Sequence, residues 1–273
     1  MPLPNLIIIG AMKCGTTSLH HMLARHPDIF MHRDKELNFF IAELNWKKGV
    51  EWYASRFPEG RKIRGESTPG YTSSGRYPGV PARMHSILPD ARLVYMVRDP
   101  IERLISHWVV AVAEGKETRP LAEAARDDWY IDRSLYWKQI ALYLEHYSPS
   151  RILVLAMEDL AERRDATLRR TLEFLAVDPD VRLPERRLNR TDRKRARTRV
   201  GAAIHRSPIG RGLRALPQWL HWPAREWLYR PFSEPIERPV LSAEDRGALT
   251  ERLRDDTNRF REFAGRDFAD WSV

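Results

Sequence analysis

Two short stretches combine residue types that hold anions. The first is Gly10-Ala11-Met12-Lys13-Cys14-Gly15-Thr16-Thr17-Ser18. Backbone N–H groups of a glycine-bounded loop, with the positive end of a helix dipole behind them, form a phosphate site. Thr16, Thr17 and Ser18 add hydroxyl donors, and Lys13 adds a charge inside the loop. An ATP-binding loop reads G-x-x-x-x-G-K-[ST]. Gly10 and Gly15 keep that spacing, but Thr16 stands where the lysine belongs. This argues against a grip on β- and γ-phosphates. It suits a donor with one 5′-phosphate, with Lys13 free to reach whatever that phosphate carries. The residues alone also permit a tight strand-to-helix turn with no ligand.

The second stretch is Arg92 to Trp108, RLVYMVRDPIERLISHW. An apolar strand delivers Arg98 to its C-terminal end, and Asp99-Pro100 starts a helix. Ser106 follows two helical turns after Arg98. Arg98 and Ser106 suit a second phosphate, through a charge-assisted grip and a hydroxyl donor. The alternative is local pairing of Arg98 with Asp99 or Glu102.

The elements that must position these residues read as follows. Leu6 to Ile9, Lys62 to Glu66, Arg92 to Val97 and Arg151 to Leu155 are short strands, the first and third wholly or mainly apolar. Helices are expected over Thr16 to Arg25, Pro81 to Leu88, Pro100 to about Glu114, Ser134 to His146, Asp165 to Leu175 and Ser242 to Phe263. Ser242, with Asp245 three residues on, caps the last. Strands alternating with helices predict an α/β fold: a single P-loop-like domain over 1–273, with a central, mainly parallel sheet flanked by helices on both faces. In such sheets ligands bind beyond the strand C-termini. The arginine-rich 185–214 reads as a mobile basic loop. The aromatic stretch from Trp219 to Phe232 reads as core, as an acceptor lid or as a surface for peripheral membrane contact.

The totals narrow the function classes. Hydrophobic residues make up 42% of 273, enough for a core, so a disordered chain is excluded. A net charge of +9 favours anionic partners. Cys14 is the only cysteine, which excludes an internal disulfide and a cysteine-based metal cluster. No segment approaches the roughly 20 apolar residues of a membrane-spanning helix. A cytoplasmic protein is expected.

Four stretches together resemble the PAPS-dependent sulfotransferases, where PAPS is 3′-phosphoadenosine 5′-phosphosulfate. The resemblance is to the branch with heparan sulfate sulfotransferases and many bacterial relatives. IIIGAMKCGTTSLHHML (Ile7 to Leu23) resembles the 5′-phosphosulfate loop. KELNFF (Lys35 to Phe40) resembles the branch's K-E-x-x-F-F segment. GESTPGY (Gly65 to Tyr71) is similar to its E-x-[ST]-P-x-Y element, and VRDPIERLISHW (Val97 to Trp108) to the 3′-phosphate motif. LYWKQIALYLEHY, RILVLAMEDL and GRDFADW extend the likeness over most of the chain.

The resemblance implies sulfuryl transfer from PAPS to a hydroxyl or, less favoured, an amine, releasing PAP (3′-phosphoadenosine 5′-phosphate), with no metal. It implies that Lys13, Cys14, Gly15, Thr16, Thr17 and Ser18 hold the 5′-phosphosulfate, and that Arg98 and Ser106 hold the 3′-phosphate. Lys13 would also stabilise the leaving group. Glu36 would be the general base, and burial beside the acceptor pocket is the environment expected for it. Asn38 and Ser67 stand where heparan-type members carry histidine and lysine, so a small-molecule acceptor is as open as a glycan. The rival readings are a small-molecule kinase, which needs the missing loop lysine, and a basic nucleic-acid-binding protein, for which no recognition motif is present.

Overall fold

The computed structural model describes residues 2–183, 195–197 and 233–273. Its core is a five-stranded parallel sheet in the order β2-β3-β1-β4-β5. The strands are β1 (Leu6–Gly10), β2 (Ile29–Met31), β3 (Ile63–Ser67), β4 (Arg92–Val97) and β5 (Ile152–Ala156). Every residue of β1 is buried, and in β4 all but Arg92. A strand covered on both faces needs such an unbroken apolar run. β1 pairs with β3 on one side and β4 on the other, with Leu6 opposite both Gly65 and Arg92.

From β1 the chain leaves toward β2, whereas from β4 it leaves toward β5 at the opposite edge. Right-handed crossovers of opposite direction place the connecting helices on the two faces. The order reverses between β1 and β4, and an open crevice forms at the strand C-termini there. The helices are α1 (Thr16–Leu23), α2 (Gly49–Ala54), α3 (Val80–Ile87), α4 (Pro100–Ala113), α5 (Leu121–Ala124), α6 (Asp128–Ile131), α7 (Tyr136–Leu144), α8 (Met157–Glu162), α9 (Arg164–Phe174) and α10 (Ala243–Ala264). The helix expected from Ser134 begins at Tyr136, because Asp132–Ser134 forms a 3-10 turn. There the Ser134 hydroxyl donates to the Pro100 carbonyl at 2.8 Å and accepts from Arg103 Nε at 2.6 Å.

α10 packs against α7 and α4. Its Phe260 lies edge-on to Tyr95 and parallel to Trp271. Ser242 caps it as expected, accepting from Asp245 N at 3.0 Å, and Gly265, with φ 60°, ends it. The stretch 216–232 and most of 185–214 lie outside the described residues. Arg195–Arg197, expected within a loop, is instead a strand (β6) paired antiparallel with Ser233–Pro235 (β7). Three residues are too few to leave a periodic signal. β6 packs against α4. Among the described residues no helix is long and apolar enough to cross a membrane.

Asp99 ties these elements together. Its Oδ1 caps α4 by accepting from Glu102 N at 2.9 Å, and its Oδ2 accepts from Ser272 N at 2.5 Å. Its own N–H donates to Glu158 at 3.1 Å. Asp99→Ala removes the cap and strands a backbone donor. It is expected to lower stability by about 2 kcal/mol, read as a lower urea midpoint with an unchanged slope.

Candidate functional site

The first anchor is the turn from β1 into α1. Gly10 sits against Thr72: a Cβ there would come within 2.0 Å of Thr72 Oγ1, so only glycine fits. Beyond it, Ala11 N donates to Met96 O at 2.6 Å, binding the loop to β4. Gly15 takes φ 82°, and no side chain caps α1, whose first turn carries no acidic residue. A helix start in this state is a place for an anion. Lys13 also has a positive φ, 74°, without being glycine. Cys14 turns inward and is fully buried. Burial pushes its thiol up to about 11, so it is no thiolate, and its Sγ lies 3.5 Å from the Tyr136 hydroxyl.

The second anchor begins one residue beyond β4. The Tyr136 hydroxyl donates to Arg98 O at 2.8 Å and lies 3.3 Å from Arg98 N. One buried phenol therefore touches both anchors, Cys14 from the β1 loop and Arg98 from β4. The local pair considered for Arg98 does form, with Nη2 3.6 Å from Glu102 Oε2. Glu102 is shared, however: Arg246 is 3.5 Å from its other oxygen, and Arg238 pairs with it as well. Three guanidiniums around one carboxylate leave positive charge over. Ser106 is buried on α4. Lys13 is close enough for its charge to act on His107, the residue after Ser106. The two anchors thus converge at the crevice between β1 and β4.

Glu36 lies on the other flank of β1. The segment before Phe39 is pinned to the end of β3: Ser67 N donates to Lys35 O at 3.2 Å, and Asn38 N to Thr68 Oγ1 at 3.3 Å. Thr68 N in turn donates to Ile8 O of β1 at 3.1 Å. This brings Glu36 to the same C-terminal edge as the glycine loop. The expected burial is not found: the Glu36 side chain is 55% exposed, with Lys35 Nζ at 3.3 Å. The reason is local. Asn38, with φ 52°, closes a turn whose apolar neighbours Leu37, Phe39 and Phe40 go inward and leave Glu36 outside. Lys35 is mostly covered, and burial lowers its pKa.

The carboxylate that is buried is Glu66. Tyr53 and Tyr71 donate to its Oε1 at 2.7 and 2.8 Å, and Thr68 to its Oε2 at 2.6 Å. Desolvation raises its pKa against those bonds. It holds the GESTPGY turn together and has no surface to offer an acceptor. Ser67 is likewise buried, its hydroxyl 2.8 Å from His20 Nδ1. Burial drives His20 down to about 3, so that imidazole is neutral.

Sequence reading did not anticipate Tyr136 or the arginines from the C-terminal part. Tyr136 lies in the LYWKQ stretch, but its contacts reach residues 38 and 122 positions away. Arg238 meets Glu102 across 136 positions, and no local pattern signals that.

Comparison with known proteins bears on the family and the fold. The chain is 40% identical over 111 residues to the membrane-associated sulfotransferase kil1 of Dictyostelium discoideum, covering 39% of this chain and 22% of that protein. It is 36% identical over 195 residues to heparan sulfate glucosamine 3-O-sulfotransferase 5 of Mus musculus, covering 66% of this chain and 55% of the other. The matched stretches thus span about half, or less, of these relatives' length. A crystal structure of a sulfotransferase from Alicyclobacillus acidocaldarius shares the fold, with a TM-score of 0.73 at 23% identity over all of both chains. The family model described as the sulfotransferase domain matches residues 3–195, which include both loop segments, Glu36 and the whole parallel sheet. Because that match covers well over half of the chain, the chain belongs to the sulfotransferase family.

Proposed function

We propose that this sulfotransferase moves the sulfuryl group of PAPS to an acceptor hydroxyl and releases PAP. The observation that carries the reading is the convergence of two anion-holding segments at the switch point, joined through Tyr136. The backbone and hydroxyls from Cys14 to Ser18 hold the 5′-phosphosulfate. Arg98 and Ser106 hold the 3′-phosphate, with the surplus charge of Arg238 and Arg246 beside them. Glu36 takes the acceptor proton, the acceptor oxygen attacks sulfur, and the bond from sulfur to the bridging oxygen breaks. The electron pair leaves with PAP, and Lys13 stabilises the charge gathering there. An exposed Glu36 is compatible with this, because the acceptor itself supplies the desolvation when it docks.

Relatives named as glucosamine 3-O-sulfotransferases support the hydroxyl acceptor, and others named as N-deacetylase/N-sulfotransferases make an amine the alternative. Ser67 argues against carrying heparan sulfate over to this chain. At the position where heparan-type members have a lysine, its buried hydroxyl is bonded to His20 and offers an acidic glycan no charge.

Calorimetric titration with PAP, ADP and ATP tests the donor. PAP is expected to bind tenfold to a hundredfold more tightly than ADP, the worth of roughly one or two charge-assisted bonds to a 3′-phosphate. Arg98→Ala is expected to erase that preference. Equal binding of PAP and ADP by the unaltered chain would refute the assignment.

A further inference from the structure

A cavity of about 500 Å³ opens beside the turn that follows β3. One wall is Gly75 and Arg76; the other is α6 and the start of α7. Four cations line it, Arg76, Arg133, Lys138 and Arg252, against two carboxylates, Asp128 and Asp132. Those carboxylates are already engaged. Asp132 accepts from Lys138 Nζ at 2.7 Å, Gly75 N at 3.3 Å and Gln139 Nε2 at 3.3 Å. Asp128 pairs with Arg252. Among the described residues, neither Arg76 nor Arg133 lies within ion-pair distance of a carboxylate.

Arg133 is the unusual member. It is only 5% exposed, with Nε donating to Ser73 Oγ at 3.1 Å, Nη1 to Trp129 O at 2.5 Å, and its guanidinium over the Trp129 ring. Burial, and after it the charges of Arg103 and Arg76, pull it down to about 10. Arg103 is fully buried, and its Nη1 has no hydrogen-bond partner among the described residues. Buried cations are ordinarily paired. Here one covered arginine sits on the rim of a cavity with another behind it and an exposed one across from it, and Asp132, the carboxylate whose charge reaches Arg133, is already paired with Lys138.

We infer that this cavity binds an oxyanionic group, a sulfate, phosphate or carboxylate, carried by the acceptor. The inference rests on the sulfotransferase reading for the word acceptor, but not for the anion. Location suits the role: Thr72, which presses on Gly10, lies three residues before Gly75, and Arg133 bonds Ser73, the residue after Thr72. An acidic acceptor anchored here would lie along the same C-terminal edge of the sheet as the donor loops. Arg133 supplies a fixed charge, and exposed Arg76 is the arm that adjusts to the ligand.

The test uses the full chain saturated with PAP, so that the donor loops are taken. It is titrated at constant ionic strength with inorganic sulfate and with 4-nitrophenyl sulfate, a sulfate borne on an organic body. Arg76→Glu is exposed and should fold normally. It is expected to weaken both probes by about tenfold or more. Arg56→Glu, an equal change of net charge at an exposed residue that rests on Trp52, should leave both unchanged. If Arg76→Glu has no greater effect than Arg56→Glu, the site is refuted. If only inorganic sulfate binds, the cavity takes a free ion and the acceptor assignment falls. Failure of PAP to bind would count against the donor reading alone, since the sulfate titration decides the cavity without it.

Discussion

Glu36→Gln is expected to abolish turnover while leaving PAP affinity unchanged. General-base catalysis contributes about a hundredfold to ten-thousandfold, and the amide keeps the shape of the carboxylate without its proton affinity. The geometry makes the experiment clean. Glu36 is 55% exposed, and Lys35 at 3.3 Å is its one side-chain ion partner among the described residues. An exposed pair of that kind is worth about 0–1 kcal/mol, so the fold should not register the change. Glu66→Gln is the informative control. Glu66 accepts three buried hydroxyl bonds, and an amide group would meet at least one donor with another donor. That variant should lose melting temperature first and activity as a consequence. Turnover by Glu36→Gln near the unaltered rate, measured with labelled PAPS and any acceptor that supports reaction, would remove Glu36 as the base.

The contrast between these two glutamates also marks how far the sequence could be read. GESTPGY and KELNFF are both motif stretches, and each holds one glutamate. Which of them faces solvent depends on a turn at Asn38 and on where Tyr53 and Tyr71 point, and neither is encoded in local spacing. Burial was expected at Glu36 and is found at Glu66.

The parallel sheet was legible because its strands are covered on both faces. Leu6 to Ile9 and Leu93 to Val97 had to be unbroken apolar runs. The helix starts were legible because Asp99-Pro100 and Ser242 are local caps. β2, only three residues long, left no such trace. The switch point followed from neither strand alone. It arises from the order in which β2 and β3 fill one side of β1 before β4 takes the other. What brings the two anchors into one site is long-range: the Tyr136 hydroxyl between Cys14 and Arg98, and the C-terminal tail that reaches back to Asp99 through Ser272.

Lys13 carries the second large prediction. Lys13→Ala is expected to lower kcat by about a hundredfold to a thousandfold, the range for losing one fixed charge at a developing anion. PAP affinity should fall less, because the helix start and Arg98 remain. The backbone supplies an independent reason to assign the lysine a chemical role. At φ 74° a side chain costs about 1 kcal/mol relative to glycine. A loop that had only to turn would be more stable with glycine at that position, as it has at Gly15. Lys13→Gly should therefore match Lys13→Ala in lost activity yet equal or exceed the unaltered chain in stability, by up to about 1 kcal/mol in urea unfolding. Stability gained together with activity lost would mean that the strained conformation is kept for the ammonium group. If Lys13→Gly instead unfolds more easily, the side chain is holding the loop, and its share in catalysis must be measured again with a shape-preserving methionine.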